Sequence, residues 1–298
     1  MSVELLTQAF LPISLVLMMV GMGAGLQPSD FSHLLRQRRA LLAGLIGQLI
    51  LLPLAAVSTA LAFDAAAWFA VGLVIIAASP GGIASNVVSF AVGGNMALSI
   101  GLTAISSMAC VFTIPLWVSL ALGWFAAEEG SISLPFWRTL LSLISLTLVP
   151  VAAGMLLGLC KPKLAERVER VSRALSLPFL CLVMVLVVVS QFEFLLRHLG
   201  QTAVPLLLFL GLMATVAMLL SRAFHLGSRD CKTILVEVGL QNTTLALMVA
   251  MTLLNEPRFS VIPGCYGVLM FLVLVPVFVL QRRSDARYTI LNSSTGEN

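Results

Sequence analysis

The chain has 298 residues, of which 59% are hydrophobic and only 10% charged, with a formal net charge of +4. Water-soluble domains carry about 25% charged residues, so this balance excludes an ordinary soluble enzyme or binding module and makes the lipid bilayer the natural solvent. The positive charge gathers on no soluble module, which argues against nucleic acid as a partner and leaves membrane topology as its meaning.

The first ten residues, MSVELLTQAF, hold Glu4 and no Lys or Arg. A cleavable signal peptide needs a basic stretch before its apolar core, so the first apolar run is expected to stay in the mature protein. A spanning helix takes about 20 apolar residues. Nine stretches qualify, at about 8–26, 40–62, 66–92, 95–123, 138–159, 174–191, 202–221, 233–254 and 259–280, followed by a polar tail over 281–298. The whole is read as a single transmembrane domain. Five scattered cysteines (Cys110, Cys160, Cys181, Cys231, Cys265) form no CxxC pair and read as free thiols.

Orientation follows the basic residues. Arg36, Arg38 and Arg39; Lys161, Lys163, Arg167, Arg170 and Arg173; Arg222, Arg229 and Lys232; and Arg282, Arg283 and Arg287 all fall on odd-numbered connections or the tail. Only Arg138, Arg197 and Arg258 fall on the other side. The pattern supports nine spans in a cell (inner) membrane, with the N-terminus outside and the C-terminus in the cytoplasm. The segment 161–173 reads as a charged cytoplasmic link between two halves. Spans one to four would then correspond to spans six to nine by inverted topology, which pairs the third span with the eighth.

Those two spans are the ones with polar interruptions. In the third, Ser79, Pro80, Gly81 and Gly82 precede Ile83, Ala84, Ser85 and Asn86. Pro80 lacks an amide hydrogen and disfavours helix before it, and glycines add backbone freedom. A break here frees carbonyls that must find protein, water or an ion; the bland alternative is a kink with a packing role. In the eighth, the run VEVGLQN holds Glu237, the one Asp or Glu inside any apolar stretch, with Gly239, Gln241 and Asn242 beside it. A carboxylate in hydrocarbon costs roughly 3 kcal/mol on the insertion scale. No Lys or Arg lies inside a span to pair with it, so a bound cation or a proton is its expected partner; the alternative is a protonated Glu bridging helices. Ligands that are all oxygen suit a hard cation, and one carboxylate is little charge for Ca²⁺, which leaves sodium or a proton. Gln48 in the second span, five residues before Pro53, and Ser99 and Thr103, four apart on the fourth, add polar groups.

The stretches GMGAGLQPSDF (21–31), Gln48 with Pro53, SPGGIASN (79–86), ALS with Thr103, and VEVGLQN (236–242), in this order and spacing, resemble the bile acid:sodium symporter family. The resemblance runs from about residue 15 to 280. It implies an all-α polytopic secondary transporter with inverted repeats, in which a core domain with two broken, crossing helices moves against a panel domain. It implies one sodium site at Ser85, Asn86, Ser99, Thr103 and Glu237, and a second at Gln48, Gln241 and Glu237 with the carbonyls of Val238 and Leu240. Asn242, Ile83 and Ala84 would face the substrate, and Pro80, Gly81, Gly82 and Gly239 would form the breaks. Ile83 replaces a Thr of bile-acid-binding relatives, and CYGVLMFLV stands where they carry Trp-His-Asn, so a small organic anion such as a hydroxy or keto acid is expected rather than a steroid. The expectation is a sodium-coupled symporter that acts as a monomer in the lipid bilayer, with no cofactor beyond the coupling ion. The rivals are proton coupling through Glu237, a metalloid or anion efflux permease, which would need a Cys near Ser79, and an intramembrane enzyme or other non-transport protein.

Overall fold

A computed structural model describes residues 9–27, 34, 36–127 and 134–273. The predicted tail at 281–298 and the end of the ninth apolar stretch lie outside them. The described residues form helices throughout; their one strand-like feature is an isolated bridge between Gly81 and Gln241.

In chain order the helices are α1 (Leu11–Ala24), α2 (Arg38–Ala62), α3 (Ala67–Ala78), α4 (Ile83–Ala91), α5 (Met96–Phe125) and α6 (Phe136–Cys160). The order continues with α7 (Pro162–Ser190), α8 (Phe192–Ala223), α9 (Ser228–Gly239), α10 (Thr243–Leu253) and α11 (Pro257–Leu272). Of these, α2, α5, α6 and α8 are long and apolar enough to cross a bilayer unaided. Helix α7 begins twelve residues before the apolar stretch at 174. The segment expected as a charged link is therefore helical, started by Pro162 and braced by the i,i+4 pairs Glu166–Arg170 and Glu169–Arg173.

Packing divides the molecule into two groups. Helix α1 packs on α6 and α7, and the remaining helices pack mainly on one another. The first group is held at backbone distance by glycine. A methyl on Gly23 would lie 2.1 Å from the Val151 carbonyl oxygen, and one on Gly154 would lie 2.2 Å from that of Val20. In the second group, every residue of α3 is buried, which explains why AWFAVGLVIIAA has no polar face.

The two ends of the second group differ in chemistry. At one end, Asn95 Nδ2 donates to Gln37 Oε1 and Asp230 Oδ1, both at 2.8 Å, and Lys232 Nζ donates to the Val92 carbonyl at 3.1 Å. This joins the connections before α2 and α5 to the start of α9. At the other end of α2, about 37 Å away along the helix, residues 63–66 face Gly200 and Gln201, and Trp68 meets Phe194 and His198 edge-on. The basic residues of 36–39 and 222–232 lie at the first end.

Candidate functional site: the crossing of two broken helices

Helix α3 stops at Ala78 and α4 starts at Ile83; between them Ser79 and Gly82 are extended. Helix α9 stops at Gly239 and α10 starts at Thr243, with Leu240 extended between. The freed backbone groups pair across the crossing. Gly81 bridges Gln241, and the Asn242 amide donates to the Pro80 carbonyl at 2.7 Å. The Asn242 side chain caps α10 by accepting from the Leu245 amide at 3.1 Å. Pro80, Gly81, Gly82 and Gly239 thus lie at the breaks. Close approach singles out Gly81 over Gly82: a methyl on Gly81 would come 2.6 Å from Glu237 Oε2, whereas one on Gly82 would meet Asn242 at an ordinary 3.7 Å.

Glu237 sits in the last turn of α9, two residues before its end, and is fully buried. Its Oε1 accepts from Ser85 Oγ at 2.8 Å and Ser99 Oγ at 2.6 Å, and its Oε2 from Thr103 Oγ1 at 2.8 Å. The same hydroxyls also approach other acceptors. Ser85 lies 2.7 Å from the Gly82 carbonyl, and Ser99 and Thr103 lie 2.8 and 3.4 Å from Asn86 Oδ1. Each hydroxyl has one proton, so three protons face six oxygen contacts. The cluster is rich in oxygen and poor in donors, which is the chemistry a hard cation completes.

A second polar group adjoins it on the backbone side of Glu237. Gln48 Nε2 donates to the Glu237 carbonyl at 2.7 Å, and Gln241 Nε2 to that of Val238 at 2.8 Å and of Glu237 at 3.5 Å. This leaves Gln48 Oε1 and Gln241 Oε1 buried without a partner. An unpaired buried acceptor costs about 1–3 kcal/mol. Gln48 is aimed by a π-helical turn over Gly47–Leu51, a distortion often found at functional sites. Pro53 follows and cannot donate to Leu49; the Trp117 indole donates to that carbonyl instead, at 3.1 Å.

The structure therefore brings Ser85, Asn86, Ser99, Thr103 and Glu237 into one cluster, and Gln48, Gln241 and the Val238 carbonyl into its neighbour. For the Leu240 carbonyl no contact carries the expectation. Gly82, Ile83, Ala84 and Asn242 line a small cavity between the crossing and the α1–α7 wall. Sequence reasoning missed two residues. Tyr266 Oη donates to the Gly239 carbonyl at 2.8 Å, satisfying a group freed by the second break; Trp117 does the same for the Leu49 carbonyl that Pro53 leaves without a donor. The available signal was weak: a hydroxyl- or N–H-bearing aromatic inside an apolar run needs a partner.

A family model, the sodium bile acid symporter family, matches residues 12–198. An uncharacterized sodium-dependent transporter of Bacillus subtilis, YocS, is 29% identical over 81% of this chain and 74% of its own length. The human ileal sodium/bile acid cotransporter is 28% identical over 85% of this chain and 72% of its own, and the rat sodium-dependent organic anion transporter 28% over 96% and 78%. The family match takes in α1 through α7 and, with them, the first break and the cluster residues Ser85, Asn86, Ser99 and Thr103. The chain belongs to the sodium bile acid symporter family.

Proposed function

We propose that the protein is a sodium-coupled symporter that imports a small organic anion by alternating access. Its family makes it a multi-pass membrane transporter with sodium-dependent relatives. The observation that carries the coupling is the donor-poor oxygen cluster around buried Glu237. One sodium ion would be held there by Ser85, Asn86, Ser99, Thr103 and the carboxylate. A second would lie among Gln48, Gln241 and the carbonyls of Val238 and Leu240. Both ions would tie the two breaks together and stabilise one arrangement of the core against the panel formed by α1, α6 and α7.

Proton coupling is the second reading, since a proton on Glu237 would also quiet the cluster. The orphaned oxygens of Gln48 and Gln241 favour the cation, because a protonated carboxyl leaves them unpaired. Substrate would bind in the seam at Ile83, Ala84 and Asn242. No side chain caps the start of α4, so its first amides and the helix dipole favour an anionic group. The basic end at residues 36–39 and 222–232 would face the cytoplasm of a cell whose inner membrane holds the protein.

The test is uptake of radiolabelled organic anions, a bile acid among them, into proteoliposomes at fixed pH with sodium or choline outside. Sodium-stimulated uptake is expected. Equal uptake in choline at fixed pH, raised when a pH gradient is then imposed, would assign coupling to the proton instead.

A further inference from the structure

The seam between panel and core has one charged wall. Along α7, Glu169, Arg173, Ser176 and Leu180 recur at helical spacing and share a face. Ser176 and Leu180 line the cavity beside Asn242, and Glu169 and Arg173 line a neighbouring one of about 90 Å³. Ile83 borders both, and Asn86, whose oxygen touches the Glu237 cluster, borders the second. The two cavities are consecutive stations along one helix face, running from the crossing toward the basic end of the molecule.

Arg173 is the one cationic side chain on either cavity among the described residues. It is held by Glu169 one turn earlier. This pair differs from the other acid–arginine pairs on α7 and α8. In Glu166–Arg170 the carboxylate is 66% exposed, whereas Glu169 is 28% exposed. Glu169 lies against Gly25, where a methyl would sit 3.1 Å from the carboxyl carbon. An i,i+4 pair with the guanidinium still half exposed is a weak one, so a competing anion can displace it. A guanidinium carries five donors in a planar fork, more than one carboxylate oxygen uses, and matches a second carboxylate bidentately.

We infer that Arg173 is a substrate-binding residue of the seam: a small carboxylate leaving the crossing displaces Glu169 and pairs with Arg173, its apolar body against Met22, Phe90 and Ile100. Glu169 is the built-in competitor that holds Arg173 when the cavity is empty and releases the product toward the basic end. The inference rests on the transport reading above and names the chemical group that the seam recognises.

The test uses the purified full chain in detergent and sodium chloride. Thermal unfolding is followed with 2-hydroxy and 2-oxo carboxylates of four to eight carbons, and with their amides as uncharged controls. At least one acid stabilises the wild-type protein and its amide does not. Arg173→Gln weakens that acid's apparent affinity tenfold or more, Arg173→Lys retains part of it, and Glu169→Gln strengthens it severalfold. The opposite signs at the two ends of one ion pair separate binding from a structural role, in which both substitutions would act alike. Unchanged affinity in Arg173→Gln, weakened affinity in Glu169→Gln, or no acid that stabilises the wild type would each overturn the inference. The sodium-against-choline shift is read in the same samples: its absence from the wild type removes the symport reading, and the Arg173 result is scored separately.

Discussion

Replacing Glu237 with Gln changes charge and almost nothing else. The side chain keeps its length, and its remaining oxygen can still accept from Ser85 and Ser99 at the present 2.8 and 2.6 Å. The new amide can donate to Thr103 Oγ1, now 2.8 Å from Oε2. A unit charge 4 Å from a bound ion, at an effective dielectric constant of about 20, contributes about 4 kcal/mol. Sodium affinity should therefore fall about 1,000-fold. Because the wild-type carboxylate is buried and, among the described residues, has only hydroxyls against it, removing the charge also relieves a burial cost in the ion-free protein. The variant should unfold at or above the wild-type temperature in choline chloride. In sodium chloride at about 100 times its dissociation constant, the wild type gains about 2.7 kcal/mol and the variant gains nothing. Differential scanning of the solubilised proteins in the two salts measures both effects. A sodium shift of equal size in wild type and variant would refute the placement of the ion at this carboxylate.

Four further substitutions probe the crossing and the turn that adjoins it. Gly81→Ala puts a methyl 2.6 Å from Glu237 Oε2 and should abolish sodium-stimulated uptake, while Gly82→Ala, with 3.7 Å of room, should preserve it; proteoliposome uptake compares the two. Tyr266→Phe removes the donor to the Gly239 carbonyl and should cost about 1–3 kcal/mol, read as a lower unfolding temperature in either salt. Trp117→Phe leaves the Leu49 carbonyl beside Pro53 unpaired and should cost a similar amount, with a weakened sodium response because the turn that aims Gln48 loosens.

The parts of the fold legible in the sequence were those where polarity contradicted the solvent. Pro80, the glycines and Glu237 stand out because an apolar span has no reason to hold them, and the crossing of α3–α4 with α9–α10 lies where they stand. Ser99 and Thr103 were legible as one helix face but not as partners of Glu237, since hydroxyls in a span usually bond back to their own helix; only the family resemblance joined them. Tyr266 and Trp117 were hidden because an aromatic ring in an apolar run reads as packing, and its donor matters only once a distant Pro or chain break supplies the empty carbonyl. In the sequence the charges over 161–173 speak only of topology. Their second property, the helix that carries Glu169 and Arg173 to the seam, depends on i,i+4 pairing and on α1 lying alongside.

The glycine contacts within the panel bear on how genetic variation in this protein will be interpreted. Gly23 and Gly154 let two helix backbones touch, at positions where any side chain would collide with a carbonyl oxygen. Neither residue lines the seam cavities, yet a screen for lost uptake would score changes there as severely as changes at Glu237. The two kinds of defect part at the level of abundance: panel-glycine variants should be depleted from the membrane, and crossing variants should accumulate there as intact, silent protein. A survey that records protein quantity beside uptake would thus sort inherited loss of transport into assembly defects and coupling defects.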